Sequence, residues 1–540
     1  MDLEKFDVVV VGSGGAGLLA AARAAAAGLS VVVLERSDVL GGTTAVSGGM
    51  LWVPNSSVMK QAGLPDSAED ALRYLERVVE GTVPRERLEH YVRTAPEMVD
   101  WLLAHTGARF FPIDRPDYHS TWPGAVDVGR CLDNEPFPTA SRPGLLERVR
   151  RGPQFPPLTY DERHRARFTG PDASLLAQRL ADGVLTVGAA LVAALVAACD
   201  DLGVRFVLRA RATSLLRDDN DAAAVTGVRC EDGRRFSARA VVLANGGFEW
   251  DPASGAFLGD IPVVPVSPPV NTGDGLRMAM SAGAAVERMN QAWWVPALQG
   301  VPEEYDGAPL TRHLVGERCL PGSIMVDRHG RRFVNEAVNY HDITRVLFNF
   351  DADLHQPAHL PVWLVFDEKF RTSYNVGPAA PRDPVPSWLT SAATPAALAE
   401  AIGVDPAELT KTVDRFSAHA RAGVDPDFHR GESSHDRYYG DPRNPGNPCL
   451  GELVTPPFHA VRVVPGALGS KGGPVTSTSG EVLTATGTAV PGLYACGNIS
   501  AGVFGPGYPG SGGTLGPALT AGYAVGGALV ERCGGAFATD

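Results

Sequence analysis

A glycine-rich turn set between an apolar strand and an alanine-rich helix constrains this chain more than any other feature. Phe6 to Val11 is a nearly continuous apolar, β-branched run, the pattern of a strand covered on both faces. Ala16 to Gly28 is strongly helix-forming and ends on a C-cap Gly, and Ser30 to Leu34 reads as a second strand. Between first strand and helix lies Gly12-Ser13-Gly14-Gly15-Ala16-Gly17. Gly12 permits the tight turn, Gly14 lets a backbone approach a pyrophosphate, and Gly17 lets helix and strand pack closely. The helix N-terminus adds N–H groups and a partial positive charge. Glu35, with Arg36 beside it, ends the second strand about twenty residues after the glycines, where a carboxylate accepts hydrogen bonds from a ribose. The β-α-β opening predicts a doubly wound parallel sheet that binds a dinucleotide.

At 540 residues the chain exceeds what one core usually supports, so two or three units are expected. A helix at Leu185 to Ala198, a strand at Val204 to Leu208 and an apolar strand at Ala240 to Ala244 indicate a sheet assembled from distant pieces. From about Met289 to Val464 the composition shifts to Pro, aromatics and charge without α/β alternation, although Lys411 to Ala422 has helical spacing. The predicted class is α/β: a Rossmann-like dinucleotide-binding domain from residues 1–288 and 465–540, with an inserted α+β catalytic domain at 289–464.

The net charge of −13 argues against a phosphate-backbone footprint, so nucleic acid is excluded as a partner. Seven cysteines without a C-x-x-C pair suggest neither a disulfide framework nor a metal site, and fit a reducing cytoplasm. The N-terminus carries no basic n-region and does not read as an export signal. Val184 to Cys199, broken by Thr186 and Gly188, is shorter than the ~20 residues a spanning helix needs, and reads as a buried helix. The Arg- and Pro-rich stretch Arg142 to Arg167 reads as a solvated loop.

Two further segments look built for a cofactor that runs on past a pyrophosphate. Gly41-Gly42-Thr43-Thr44-Ala45-Val46-Ser47-Gly48-Gly49 places small, hydroxyl-bearing residues directly after the ribose strand. Near the other end, Pro491 to Asn498 is a short strand ending in Gly497-Asn498, and Thr514-Leu515 opens a helix whose free N–H groups suit the pyrimidine edge of a flavin. Ala212, Ala244, Asn245, Gly246 and Asp274 complete the candidate cofactor contacts, with Gly15, Ala16, Gly42, Thr43, Thr44, Ser47, Gly48 and Gly49.

The combination of GSGGAG, ERSDVLGGTTAVSGG, VVLANGGFEWD, NTGDGLRMA, GRRFVNEAVNY and GLYACGN resembles the flavoprotein superfamily of fumarate reductases and 3-ketosteroid dehydrogenases over nearly the whole chain. GPGYPGSGGTLGPALTAGY most resembles the 3-ketosteroid Δ1-dehydrogenases. The resemblance implies non-covalent FAD, a domain for it made of both chain ends, and a 3-ketosteroid substrate. It places the Y-P-x-x-G motif on Tyr508 to Gly512, where the Tyr508 hydroxyl and Gly512 N–H grip the C3 oxygen. It places the base on Tyr340 and a supporting tyrosine on Tyr118, with His119 where relatives carry a second aromatic.

The chemistry explains those groups. Removing a proton α to a ketone builds charge on the carbonyl oxygen, and each of two preorganised donors there is worth ~3 kcal/mol. A phenol titrates near ~10, so Tyr340 acts as base only with help from neighbours such as Tyr118. The implied reaction takes the C2 proton to Tyr340 and the C1 hydride to the flavin.

Trp293-Trp294 either walls an apolar substrate or forms a core pair, and His341 with Asp342 reads as a satisfied surface pair. No H-E-x-x-H, G-x-S-x-G or P-loop occurs. An enoate reductase of the fumarate reductase type is less supported, because NQAWWVPALQG lacks the His of its H-P-T motif, and a Δ4-(5α)-ketosteroid dehydrogenase is a further alternative. A flavoprotein that only relays electrons to a partner subunit would not need the tyrosines. Without a second nucleotide fingerprint, an external acceptor such as a quinone or dioxygen is expected.

Overall fold

The computed structural model describes residues 3–218, 221 and 223–534. Strand Leu3–Val11 is the middle of the main sheet, because Val8 to Val11 have no polar face to offer solvent and are covered on both sides. It pairs in parallel with Val31–Leu34, through Val8 opposite Val31, and with Arg235–Leu243, through Val8 opposite Ala240. Outer parallel partners are Arg205–Val207 next to the second strand and Ala489–Ala495 next to Arg235–Leu243. Antiparallel strands Ala212–Arg217, Val225–Cys230 and Glu481–Leu483 extend the sheet. Its strands therefore come from both ends of the sequence.

Helices cover one face of this sheet. Gly15–Ala26 packs against Val187–Asp201 and Leu515–Cys533, and small residues set the spacing. A Cβ at Gly522 would reach within 3.0 Å of the Ala16 carbonyl carbon, and one at Gly526 within 2.7 Å of Arg23 Cβ. Every residue from Val187 to Cys199 is buried, as an apolar helix without a polar face requires. None of the described helices is long and apolar enough to cross a membrane.

A second, six-stranded sheet forms around the long strand Phe458–Ser470. Val362–Asp367 and Ala292–Leu298 pair with it antiparallel, and Ser323–Val326 continues from Val362–Asp367. Separate apolar clusters lie on its two faces, one with Leu364, Phe366 and Phe370, the other with Val365, Val413 and Phe416. Helix Pro406–Ala422 contributes to the second, longer at its start than the spacing of Lys411 to Ala422 alone suggests.

Candidate active site

The site begins at the first glycine turn. Gly12 sits at φ +103°, where a Cβ would come within 2.6 Å of the Ala244 carbonyl oxygen, so only glycine is accommodated. Gly14 differs: the nearest atom to a Cβ there is Thr44 Oγ1 at 3.7 Å, and none lies within 4 Å at Gly42. That leaves an open backbone cradle beside the N-terminus of Gly15–Ala26, the arrangement that suits a pyrophosphate. Gly15 N–H donates to Thr44 Oγ1 at 3.0 Å, which ties the cradle to the loop at 41–49.

Acidic and amide groups complete this end. Glu35 is buried and accepts from Ser13 Oγ at 2.6 Å and Ser37 N–H at 2.9 Å. Burial alone would raise the Asp274 carboxyl, but hydrogen bonds from Arg211 outweigh it and hold the group below the usual range. Asn245 Oδ1 is buried with no hydrogen-bond partner among the described residues, an acceptor available to a cofactor N–H or hydroxyl.

One cavity of about 720 Å³ runs from this turn to the tyrosines. Of the expected cofactor contacts, all but Gly17 line it, from Gly12 and Glu35 through Ala212 and Asn245 to Asn498, Thr514 and Leu515. Gly17 instead lies under the strand, with 3.0 Å from a Cβ to Ala244 Cβ, which is the packing role expected of it. Tyr340, Tyr508 and Gly512 line the other end.

Tyr118 does not reach the wall. It is 4 % exposed, behind the other two, with ring centroids 5.4 Å from Tyr340 and 5.2 Å from Tyr508. Ser511 Oγ donates to the Tyr118 hydroxyl at 3.2 Å. Its loop is held from both sides: Trp52 Nε1 donates to Asp117 at 2.7 Å, Arg130 bridges Asp117 and Asp66, and Tyr118 N–H donates to the Pro509 carbonyl.

The Tyr508 to Gly512 segment is equally constrained. Gly512 has φ +90°, and a Cβ would lie 2.5 Å from Leu51 C and Trp52 N. Its N–H donates to no acceptor among the described residues. The Tyr508 hydroxyl is 2.8 Å from Thr514 Oγ1. Burial raises all three phenols, and for Tyr340 the neighbouring Tyr118 and Tyr508 raise it further.

Two expectations are corrected and a third, left open between alternatives, is decided. His341 is no surface residue: it is fully buried, accepts from Trp294 N–H at Nδ1 and donates from Nε2 to the Pro506 carbonyl at 2.7 Å, which braces the turn before Tyr508. Burial and Lys471 keep it neutral, the state this pairing requires. Of the two readings of Trp293 and Trp294, placement in the core holds: both are buried and lie outside the cavity lining. Trp293 backs Tyr508 at 4.8 Å and donates to Asn498 Oδ1, so it supports the site from the core. The stretch 142–167 is not simply solvated, because Gly152 to Phe155, Tyr160, Arg163, His164 and Arg167 line the cavity. Sequence reading also missed Arg115, whose one signal was its place three residues before Tyr118.

A cradle for a dinucleotide that opens into a tyrosine-lined chamber is the build of a flavoprotein dehydrogenase. The chain belongs to the FAD binding domain family, whose model matches residues 7–515. It is 41% identical over 538 residues to a 4-oxocyclohexanecarboxylate 2-dehydrogenase of Sinomonas cyclohexanicum, covering 98% of this chain and 94% of the relative. To a 3-oxosteroid 1-dehydrogenase of Mycobacterium tuberculosis it is 37% identical, over 99% of this chain and all of the relative. The crystal structure of a 3-ketosteroid Δ1-dehydrogenase from Sterolibacterium denitrificans, in complex with 1,4-androstadiene-3,17-dione, matches at TM-score 0.90 and 36% identity, over 98% of this chain and 100% of that one. The chain is thus an FAD-dependent oxidoreductase that carries out dehydrogenation.

Proposed function

We propose that the enzyme desaturates a cyclic ketone next to its carbonyl, as a 3-ketosteroid Δ1-dehydrogenase does at C1–C2. The observation that carries this reading is the single cavity joining the dinucleotide cradle to Tyr340, Tyr508 and the unengaged Gly512 N–H. The relatives named above act, by their names, on ring ketones of two sizes and share that chemistry.

FAD, held non-covalently along Gly12 to Gly49 and at Asn245 and Asn498, supplies the hydride acceptor when bound. The chain's own groups do the rest. Tyr508 O–H, with Thr514 as donor to its oxygen, and Gly512 N–H hold the ketone oxygen as charge develops on it. That makes the adjacent C–H acidic enough for Tyr340 to take its proton. Burial, with Tyr118 and Tyr508 beside it, raises the Tyr340 phenol, so its phenolate is the minor form near neutral pH; that form takes the proton, and Tyr118 supports the Tyr340 ring from behind. Trp293 and the buried His341 keep water and motion away from Tyr508.

The sheet built from both chain ends supports a Rossmann-like FAD unit made of those ends, with 289–464 as the bulk of an inserted substrate unit whose central strand, Phe458–Ser470, runs on past the expected boundary at 464. We assign reoxidation to an external quinone-like acceptor, in keeping with the lack of a second nucleotide fingerprint. Seven buried, unpaired cysteines suit the cytoplasm. Anaerobic mixing with a 3-keto-4-ene steroid tests the function: the flavin should bleach and the steroid gain a 1,2 double bond. An unbleached spectrum with all ring ketones tried would overturn it.

A further inference from the structure

One buried group on the cavity wall has no role in that chemistry. Arg115 is 4 % exposed and lines the cavity, yet among the described residues no carboxylate pairs with it. Among the described residues its Nη2 donates to the Tyr439 hydroxyl, its Nη1 reaches only the Met50 thioether at 3.4 Å, and its Nε has no acceptor. The guanidinium carbon instead lies over aromatic faces, 4.5 Å from the Tyr160 centroid, 5.3 Å from Tyr439 and 5.4 Å from Tyr438. Elsewhere the buried guanidinium charge is met inside the protein, Arg130 by Asp66 and Asp117, Arg430 by Glu336 and Arg318 by backbone carbonyls, although Arg318 Nη2 and Arg430 Nε, like Arg115 Nε, lack an acceptor among the described residues.

The surroundings do not neutralise Arg115. Arg163 and Arg167 line the same part of the cavity. Of the three carboxylates on the whole wall, Glu35 and Asp274 belong to the dinucleotide end. The third, Glu317, is half-buried, and desolvation shifts it towards its neutral form. A buried charge without a counter-ion is costly, and a guanidinium with free donors matches a carboxylate in both charge and geometry. A neutral steroid offers it only carbonyl oxygens. Arg115 also sits in the loop that carries Tyr118, with Asp117 fixed between them by Trp52 and Arg130, so one rigid segment serves both ends of the substrate.

We propose that Arg115 is a specificity residue that binds a carboxylate carried by the substrate, so that this enzyme prefers cyclic ketones bearing an acidic group. The assignment rests on the reading of the site as a ketone desaturase and deepens it.

The test compares flavin reduction in the wild-type holoenzyme by 4-oxocyclohexanecarboxylate, by its methyl ester and by a neutral 3-keto-4-ene steroid. The acid should exceed the ester in kcat/KM by at least about 30-fold, the scale of a buried charge contact. In Arg115→Gln that ratio should collapse to within about 3-fold, and in Arg115→Lys part of it should remain. A ratio near one in the wild type, or an unchanged ratio in Arg115→Gln because both substrates lose alike, would overturn the proposal. Bleaching by the neutral steroid or ester without any preference for the acid would sink the carboxylate assignment and leave the desaturase reading standing. Bleaching by none of the three would sink both. Should Arg115→Gln fail to fold, calorimetry on the wild type with cyclohexanecarboxylate and cyclohexanecarboxamide decides: the acid must bind more tightly, by at least about 10-fold, and equal affinity refutes the assignment.

Discussion

Tyr118 and Tyr340 meet edge to face, with ring centroids 5.4 Å apart and planes at 72°. Only Tyr340 lines the cavity, and Tyr118 lies wholly behind it. In the proposed reaction that separation gives the proton to Tyr340 and leaves Tyr118 to support it. Tyr340→Phe should lower the rate of flavin reduction by at least ~100-fold, the usual scale for losing a general base, while FAD content stays normal. Tyr118→Phe should have a smaller effect. Stopped-flow reduction of the bound flavin measures both, and equal losses would argue against this division of roles.

The pH dependence follows from the direction of the Tyr340 shift. Burial, then Tyr118 and Tyr508, raise the phenol, so its basic form grows with pH across the whole neutral range. Flavin reduction by a non-ionising ketone should therefore keep accelerating from pH about 7 to about 10, without a plateau below the ordinary tyrosine range. A profile flat over that interval would show that Tyr340 is not the titrating base.

Tyr508→Phe should cost about 100- to 1,000-fold in kcat, as expected for removing one donor to a developing oxyanion. Gly512→Ala tests the same hole differently: with φ +90° and a Cβ 2.5 Å from Leu51 C, the loop must shift and take the second donor with it. It should be at least as damaging to turnover. Turnover of Gly512→Ala at the wild-type rate would remove Gly512 from the site.

Much of the cofactor end was legible in sequence because its requirements are local. Gly12 must take a positive φ, Gly17 must let a strand pass, and Glu35 must follow a strand, and each leaves a mark on the residue type. The substrate end carried less. Gly152 to Phe155, Thr311 to His313 and Tyr374 reach the cavity from turns and loops without periodicity. His341 was misread as a surface residue because polarity says nothing about a hydrogen bond to Pro506, 165 positions away. Tyr118 was found through its motif, yet its place behind Tyr340 follows from packing alone.

The approach to Tyr340 is itself an ionic core. Glu336 is fully buried between Arg332 at 2.7 Å and Arg430 at 3.2 Å, and Arg332 also holds Asp425 at 2.8 Å. Burial pushes the Glu336 and Asp425 carboxyls up, but the arginines outweigh it and depress both. Groups with depressed folded values stabilise the protein above their unfolded pKa and lose that contribution as pH falls through the folded one. The melting temperature should thus drop on acidification below pH about 4, the unfolded carboxylate range. Glu336→Gln, which leaves Arg430 without its carboxylate, should cost about 3–5 kcal/mol near neutral pH. Thermal or urea unfolding reads this, and a loss below about 0.5 kcal/mol would show the cluster to be idle.

The central claim is that a ring ketone is desaturated where Tyr340, Tyr508 and Gly512 converge on the FAD cavity. Single-turnover anaerobic flavin reduction, with the product analysed for its new double bond, tests it most directly. Rapid bleaching with an α,β-unsaturated ketone as product is expected in the wild type, and bleaching at least ~100-fold slower in Tyr340→Phe at equal FAD content. A flavin that stays oxidised in the wild type, or one that bleaches equally fast in both proteins, would contradict it.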